Sequence, residues 1–501
     1  MSPIKITDTS LSHMFQILAN NKVKTEELFD IFEKLDLVGF HSIELCEGSF
    51  FEISLRHLKE DPWERIKSIK SKISKTKIQV QLRGQNLDGN NYFSNDIVKY
   101  FIEKVAANGI DIVRVGDPLN DTKNLETVVK ACKNEGICAQ GTLYYTESPV
   151  HSLEYFKSIA KQIEEMKVDS ICIKDIQGLL SPFKAYELIT ALKKQNTIPI
   201  HLHIPIANET ALTTYVKAIE AGVDGVDSSA SVLNADTSYS QLELLVNILK
   251  ETKFDTKLNS ELLGEISRYY HTLMHKYTTV SELDHNMYNL KNASKQITKG
   301  MFSNLTYLLK HLNQEQHIEE VISEVLRVRM DLGYPPLAAP ISQIIVVQAV
   351  LNFVTGKRYK MVTEKLKDMV SGKFGKLPGS IKSDIKKTIL EGESYNPKNL
   401  NAFDIASLDV VKEQVSSNIQ KDEDVLTYIL FPQYAKEFFE CKQEQSTACE
   451  VTDAVEEEDK IIVNSEPVKE LEKKNIIKSE KNILETIMKE NSMPSVLYID
   501  G

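Results

Sequence analysis

Several features that mark specialised environments are scarce in this 501-residue chain. There are six cysteines, Cys46, Cys132, Cys138, Cys172, Cys441 and Cys449, scattered without a CxxC pair. That density is too low for a disulfide scaffold, so they are expected to be reduced thiols, several of them small core residues. Positive charge is also short: 60 Lys and Arg against 71 Asp and Glu leave a net charge of -11. Such a balance suggests no nucleic-acid or anionic-membrane partner. The N-terminus, MSPIKITDTSLSHMF, lacks the basic-then-apolar order of a secretory signal. The most apolar window, Ile344 to Val354 (IIVVQAVLNFV), is too short and interrupted to cross a bilayer and predicts a buried core helix. What remains, with 42% hydrophobic and 26% charged residues, is an ordinary soluble, acidic, cytoplasmic protein long enough for at least two cores.

From residue 4 to about 250, short β-branched runs alternate with longer helical patterns. The expected strands are KITDTSL, HSIELCEG, KIQVQLRGQN, DIVRVGDPLND, ICAQGTLYYT, VDSICIKDIQG, IPIHLHIP and VDGVDSSAS. Eight strand-helix units of this size predict an α/β fold, a (β/α)8 TIM barrel, with Gly39, Gly109, Gly136 and Gly222 ending helices before the next strand. An open doubly wound sheet is the alternative, and eight regular units favour closure. Side chains alternate along a strand, so Ile78, Val80 and Leu82 share one face of KIQVQLRG and Gln79, Gln81 and Arg83 the other. The outer face of a barrel packs on helices and must be apolar. Glu44, Arg83, Arg114, Gln140, Lys174 and the histidines are therefore expected to point inward, where Arg114 could simply pair with Glu44 or serve a site at the C-terminal mouth. In IPIHLHIP the inward set is His201, His203 and Pro205.

Past residue 255 only helical patterns follow: LLGEISRYYHTLMHKY, HIEEVISEVLRVRMDLG, SQIIVVQAVLNFVTG, RYKMVTEKLKDMVSG and DVLTYILFPQYAKEFFE. This divides the chain into a barrel over 1–254, a helical domain over 255–442 and a charged tail over 443–501 that reads as disordered or weakly helical.

LRGQN, RVGDPLND, QGTLYYTESPVH, SICIKDIQG and IEAGVDGVDSS in the barrel resemble the carboxyltransferase subunits of biotin-dependent enzymes, as do KGMFSNL, RVRMDLGYPPLAAPISQIIVVQAVLN, TGKRY and DVLTYILFPQ beyond it. That family includes the oxaloacetate decarboxylase alpha subunit, the pyruvate carboxylase B subunit and the transcarboxylase carboxyltransferase subunit. The resemblance spans about residues 4 to 440. It implies a divalent metal, commonly zinc, manganese or cobalt, beside a pyruvate or oxaloacetate site, held by an Asp, a carbamylated Lys and the two His of a His-x-His. A carbamate turns an ammonium into an anionic oxygen ligand, and the metal then polarises the keto group so that an enolate can form.

Carried over by position, Lys174 matches the carbamylated lysine and His203 the first His ligand. Pro205 stands where the second ligand belongs. SHMFQI at 12–17 takes the place of RDAHQS, so His13 replaces the Asp ligand, Ser12 replaces the adjacent arginine, and Gln16 matches a substrate-contacting glutamine. Arg83 matches the arginine that grips the substrate carboxylate, and Thr237 a threonine that carries the proton between biotin and pyruvate. Two readings of the metal site stay open: a three-ligand site of His13, carbamylated Lys174 and His203, or a lysine left as a plain ammonium paired with a neighbour. His201 reads as a hydrogen-bonded or core histidine rather than a replacement ligand.

The tail carries ILETIMKEN at 483–491, in which Lys489 follows Met488 but the second methionine of a biotinylation motif is missing. Biotin is thus expected on a separate carrier protein and not on this chain. The resemblance further implies a homodimer, and membrane decarboxylase subunits are partners through which the protein could lie peripheral to a membrane. The leading expectation is a carboxyltransferase, or lyase, acting on oxaloacetate or pyruvate; the alternatives are a catalytically silent scaffold subunit and a metal-dependent aldolase on the same barrel.

Overall fold

Alternation in the sequence becomes alternation in space. The computed structural model describes residues 3–18, 24–47, 50–87, 92–204, 210–230, 240–277, 296–390 and 421–447, with positions 408, 410 and 412. Eight strands, β1 (Lys5–Asp8), β2 (Ser42–Glu47), β3 (Lys77–Arg83), β4 (Ile112–Gly116), β5 (Cys138–Tyr144), β6 (Ser170–Lys174), β7 (Ile200–His203) and β8 (Gly225–Ser228), pair in parallel in chain order. β8 returns to β1, so the barrel closes and the open-sheet alternative falls away. Ile78, Val80, Leu82, Ile171 and Ile173 are buried against the surrounding helices, as the period of two requires.

Counting helices of eight or more residues, the barrel is wrapped by α1 (Ser10–Leu18), α2 (Phe29–Leu37), α3 (Pro62–Lys72), α4 (Asn95–Ala107), α5 (Glu126–Asn134), α6 (Leu153–Glu165), α7 (Pro182–Gln195), α8 (Ala211–Glu220) and α9 (Gln241–Leu249). Their starts are chemically marked. Asp61 accepts from the Trp63 and Glu64 N–H groups ahead of Pro62, and Ser240 and Glu243 form a reciprocal capping box. Gly109 takes φ +90° and donates its N–H to Ala106 O, closing α4 and turning the chain into β4. The first strand is shorter than its sequence pattern. It stops at Asp8, whose carboxylate accepts from Ser10 Oγ at 2.5 Å, and the chain enters α1 at Ser10.

Beyond the barrel come α10 (Ser260–Tyr277), α11 (Lys299–His311), α12 (Ile318–Asp331), α13 (Ile341–Val354), α14 (Glu364–Ser371), α15 (Ser383–Leu390), α16 (Asp422–Leu430) and α17 (Pro432–Thr447). They divide between two cores. α11 to α15 share an apolar cluster of their own centred on α13, the buried helix expected from the apolar window. α10 and α16–α17 instead join the barrel's cluster through Leu263, Ile266, Tyr270, Leu426, Phe438 and Phe439. Trp63 is fully buried here, with its ring 4.9 Å from that of Phe51 and its Nε1–H donated to Thr427 Oγ1 at 3.0 Å.

Two expected helices are trimmed. In RYKMVTEKLKDMVSG the helix begins only after Thr363, whose hydroxyl caps Leu366 N. DVLTYILFPQYAKEFFE is cut in two at Pro432, which lacks an N–H and serves as a first helical residue. Of the expected tail, residues 443–447 extend α17 and the rest lies outside the described residues. Among the described residues no helix is long and apolar enough to cross a membrane.

The second core sits on the C-terminal mouth of the barrel. Tyr92 OH donates to Phe374 O at 2.5 Å and Asn124 Nδ2 to the same oxygen at 3.1 Å. Lys376 N donates to Asp121 Oδ2 at 2.7 Å, Arg329 Nη2 to Thr146 Oγ1 at 2.8 Å, and Gln177 Nε2 to Gln296 O at 2.6 Å.

Candidate active site

Parallel pairing stacks the inward side chains of the barrel in layers. At the base, Thr7 Oγ1 and Ser42 Oγ lie 2.9 Å apart, and the His201 ring lies 5.5 Å from that of His41. A Cβ on Gly225 would lie 2.6 Å from His201 Nδ1, so the glycine is what makes room for this imidazole. Burial, with the nearby His41, Arg114 and Lys5 charges opposing the pull of Asp227, drives the His201 pKa down to about 3. His201 is thus a neutral core residue at the base of the barrel, apart from His203.

In the middle layer Arg114, fully buried, donates Nε–H to Gln140 Oε1 at 2.6 Å and Nη1 to Glu44 Oε2 at 3.3 Å. It also forms a two-pronged ion pair with Asp227, through Nη1 to Oδ2 and through Nη2 to Oδ1 at 3.1 Å. The expected Arg114–Glu44 pair therefore exists, but Asp227 is the closer partner. Glu44 also accepts from Ser12 Oγ at 3.0 Å and Gln79 Nε2 at 3.3 Å, so both its oxygens are occupied.

The top layer gathers three of the expected site residues. Lys174 ends β6 in register with His203 of β7, and its Nζ donates to Gln81 Oε1 at 2.9 Å. His203 Nδ1 and Asp227 Oδ2 lie 3.0 Å apart, which assigns the Nδ1 proton to the bond with the carboxylate and leaves the lone pair on Nε2. His13, on α1, is buried and its Nδ1 has no hydrogen-bond partner. Burial first, then the Lys174 charge, lowers the pKa of both His13 and His203 to about 4. Both imidazoles are neutral near pH 7. Burial acts to raise the Asp227 carboxyl, but Arg114 and His203 outweigh it and hold the group well below its ordinary range.

Arg83 stands at the C-terminal end of β3, partly buried, two residues beyond Gln81 on the same face. The side chain of Gln16 and all of Pro205 and Thr237 lie outside the described residues. Asp227 and Gln81 are functional neighbours that sequence reading did not single out. Only the register shows it: His201 pairs with Gly225 across β7 and β8, so Asp227 faces the same layer as His203. A cavity of about 540 Å³ lined by Tyr145, His151, Phe156, Lys184 and Gln296 lies beside the N-termini of α6 and α7, and none of the expected site residues lines it.

A closed barrel with its polar constellation at the C-terminal mouth, capped by a helical core, defines a TIM-barrel enzyme class whose chemistry is set by those mouth residues. Comparisons with known proteins narrow the class. Residues 3–269 match the HMGL-like family and residues 293–489 the conserved carboxylase domain. The chain is 41% identical over 439 residues to the B subunit of pyruvate carboxylase from Methanocaldococcus jannaschii, covering 87% of this chain and 77% of that protein. It is 37% identical to the 2-oxoglutarate carboxylase large subunit of Hydrogenobacter thermophilus, covering 88% and 69%. With the methylmalonyl-CoA carboxyltransferase 5S subunit of Propionibacterium freudenreichii subsp. shermanii it shares 34% identity, covering 90% of each. The carboxyl transferase domain of Rhizobium etli pyruvate carboxylase with pyruvate superposes with a TM-score of 0.80 at 25% identity, over 89% of this chain and 78% of that one. The chain belongs to the family of biotin-dependent carboxyltransferases.

Proposed function

We propose that this chain moves a carboxyl group between a 2-oxo acid of the pyruvate and oxaloacetate class and biotin carried on a separate polypeptide. Relatives named as B, large and 5S subunits support a multi-subunit enzyme, and the pyruvate-bound Rhizobium etli domain supports the substrate class. The observation that carries the reading is the convergence of Lys174, Gln81, His13 and His203 in one buried layer directly beneath Arg83.

Each group then has a task. Arg83 presents a planar fork that matches a carboxylate, and holds the substrate at the mouth. In the decarboxylating direction the bond between C3 and C4 of oxaloacetate breaks and the carboxyl group passes to a ureido nitrogen of biotin. The proton from that nitrogen goes to C3 of the resulting enolate, giving pyruvate. Negative charge builds on the keto oxygen during this step, so cationic or hydrogen-bonding donors fixed in advance lower the barrier. The Arg114–Asp227–His203 chain keeps the His203 ring in one tautomer, and burial keeps water from competing.

The test is pyruvate release from oxaloacetate by the purified chain with and without free biotin. Biotin-stimulated turnover, reduced about a hundredfold or more in Arg83→Gln, is the expected result. Oxaloacetate loss no faster than in buffer would overturn the reading and leave a silent relative.

A further inference from the structure

We infer that the barrel does without a divalent cation and that the ammonium group of Lys174 is itself the electrophile facing the keto oxygen. The inference rests on the carboxyl-transfer reading for its substrate class. The metal implied by the resemblance needs donors, and the residues present do not fit one. Among the described residues no three His, Cys, Asp or Glu side chains converge as a cage. Both oxygens of Asp227 are engaged by Arg114 and His203, and both oxygens of Glu44 by Ser12, Gln79 and Arg114. That leaves the imidazoles of His13 and His203, with Lys174 standing as an amine that donates to Gln81 and no carboxylate free to join them. Position 205 is a proline, which has no side-chain lone pair to give. A hard or borderline divalent ion held by two neutral nitrogens alone is weakly bound.

The same contacts suit a fixed ammonium. Glu44 and Asp227 balance the charge of Arg114 and Lys174, so the interior is neutral with Lys174 as a cation. Arg83 adds one positive charge at the mouth, matching the single carboxylate of pyruvate. Lys174 meets the neutral amide oxygen of Gln81, which orients the head group without discharging it. A cation in a site this buried interacts strongly with a developing oxyanion, and it needs no reorganisation when the charge appears. No bond to Lys174 forms or breaks.

Oxalate, a planar mimic of the pyruvate enolate, tests this by titration calorimetry with metal analysis of the same sample. Expected is a chain with well under one equivalent of metal, oxalate affinity unchanged by a chelator or by added zinc or manganese, and no carbamate signal after equilibration with ¹³C-bicarbonate. Oxalate affinity should fall by about tenfold or more in Lys174→Met, with its thermal melt checked for folding. The double variant His13→Asp and Pro205→His should gain zinc binding. One equivalent of metal in the wild-type chain, a carbamate signal, or oxalate binding abolished by chelation would overturn the inference. Oxalate bound through Lys174 without turnover would overturn carboxyl transfer while upholding this site; metal-dependent turnover would do the reverse.

Discussion

Inside the barrel Glu44, Arg114, Lys174 and Asp227 are buried almost completely, whereas α13 offers Ile344, Ile345, Val346, Ala349 and Val350 to a core that is apolar nearly throughout. The helical core buries Glu324, Arg329 and Asp331 as well, but its two carboxylates are met from the edge by half-exposed Arg358, at 2.6 Å each. The difference lies in what each architecture demands. Helices bury one face and leave the rest to water, while a closed barrel must fill its interior from every strand. Charges placed there are tolerated only if each finds a partner, as Arg114 finds two carboxylates.

Breaking the Arg114 hub should show the largest effect. Arg114→Leu strands two carboxylates without their cation and should cost about 3–5 kcal/mol, seen as a fall in the urea midpoint of barrel unfolding. The matching probe of the apolar core is Ile345→Ala, which opens a cavity in α13 and should cost about 2–5 kcal/mol. If Ile345→Ala lowers the midpoint reported by Trp63, in the barrel's cluster, as much as the midpoint of overall helix loss, the two cores unfold as one unit.

A third probe uses pH at the seam. His151, after β5, hydrogen-bonds Ser148 Oγ at 2.7 Å, and burial, helped by the Arg329 charge, lowers its pKa to about 4. An imidazole depressed in the fold binds its proton more readily when unfolded. Its contribution is present above pH 6.5 and is lost as pH falls towards 4, to a limit of about 3 kcal/mol. His151→Gln should therefore lose less melting temperature than the wild type between pH 6.5 and 4. Asp117 works in the opposite sense, because burial raises its carboxyl to about 7 and its contribution is lost as pH rises towards that value. Smallest of all should be Phe183→Ser on α7, where the ring is 79% exposed, with a stability change within about 0.5 kcal/mol.

The barrel was legible because its signal is periodic and local: KIQVQLRG and SICIKDIQG state in their alternation which side chains face in. Arg114 and Glu44 were foreseeable as an inward pair for the same reason. Asp227 as the stronger partner was not, since it depends on the register between β7 and β8, which no single strand encodes. The same holds for Gln81 and Lys174, which sit on strands three apart in the chain. The division of the helices between two cores was hidden because α10, α16 and α17 have ordinary amphipathic patterns, and a pattern says that a face is buried but not against what.

Trp63 is the only tryptophan in the chain, and its indole N–H ends on Thr427, more than three hundred residues away. The protein therefore carries a single intrinsic indole fluorophore at the joint where its C-terminal helices return to the barrel. Peeling α16 away would wet that indole and shift its emission to the red, so detachment of these helices can be timed optically in the unlabelled protein.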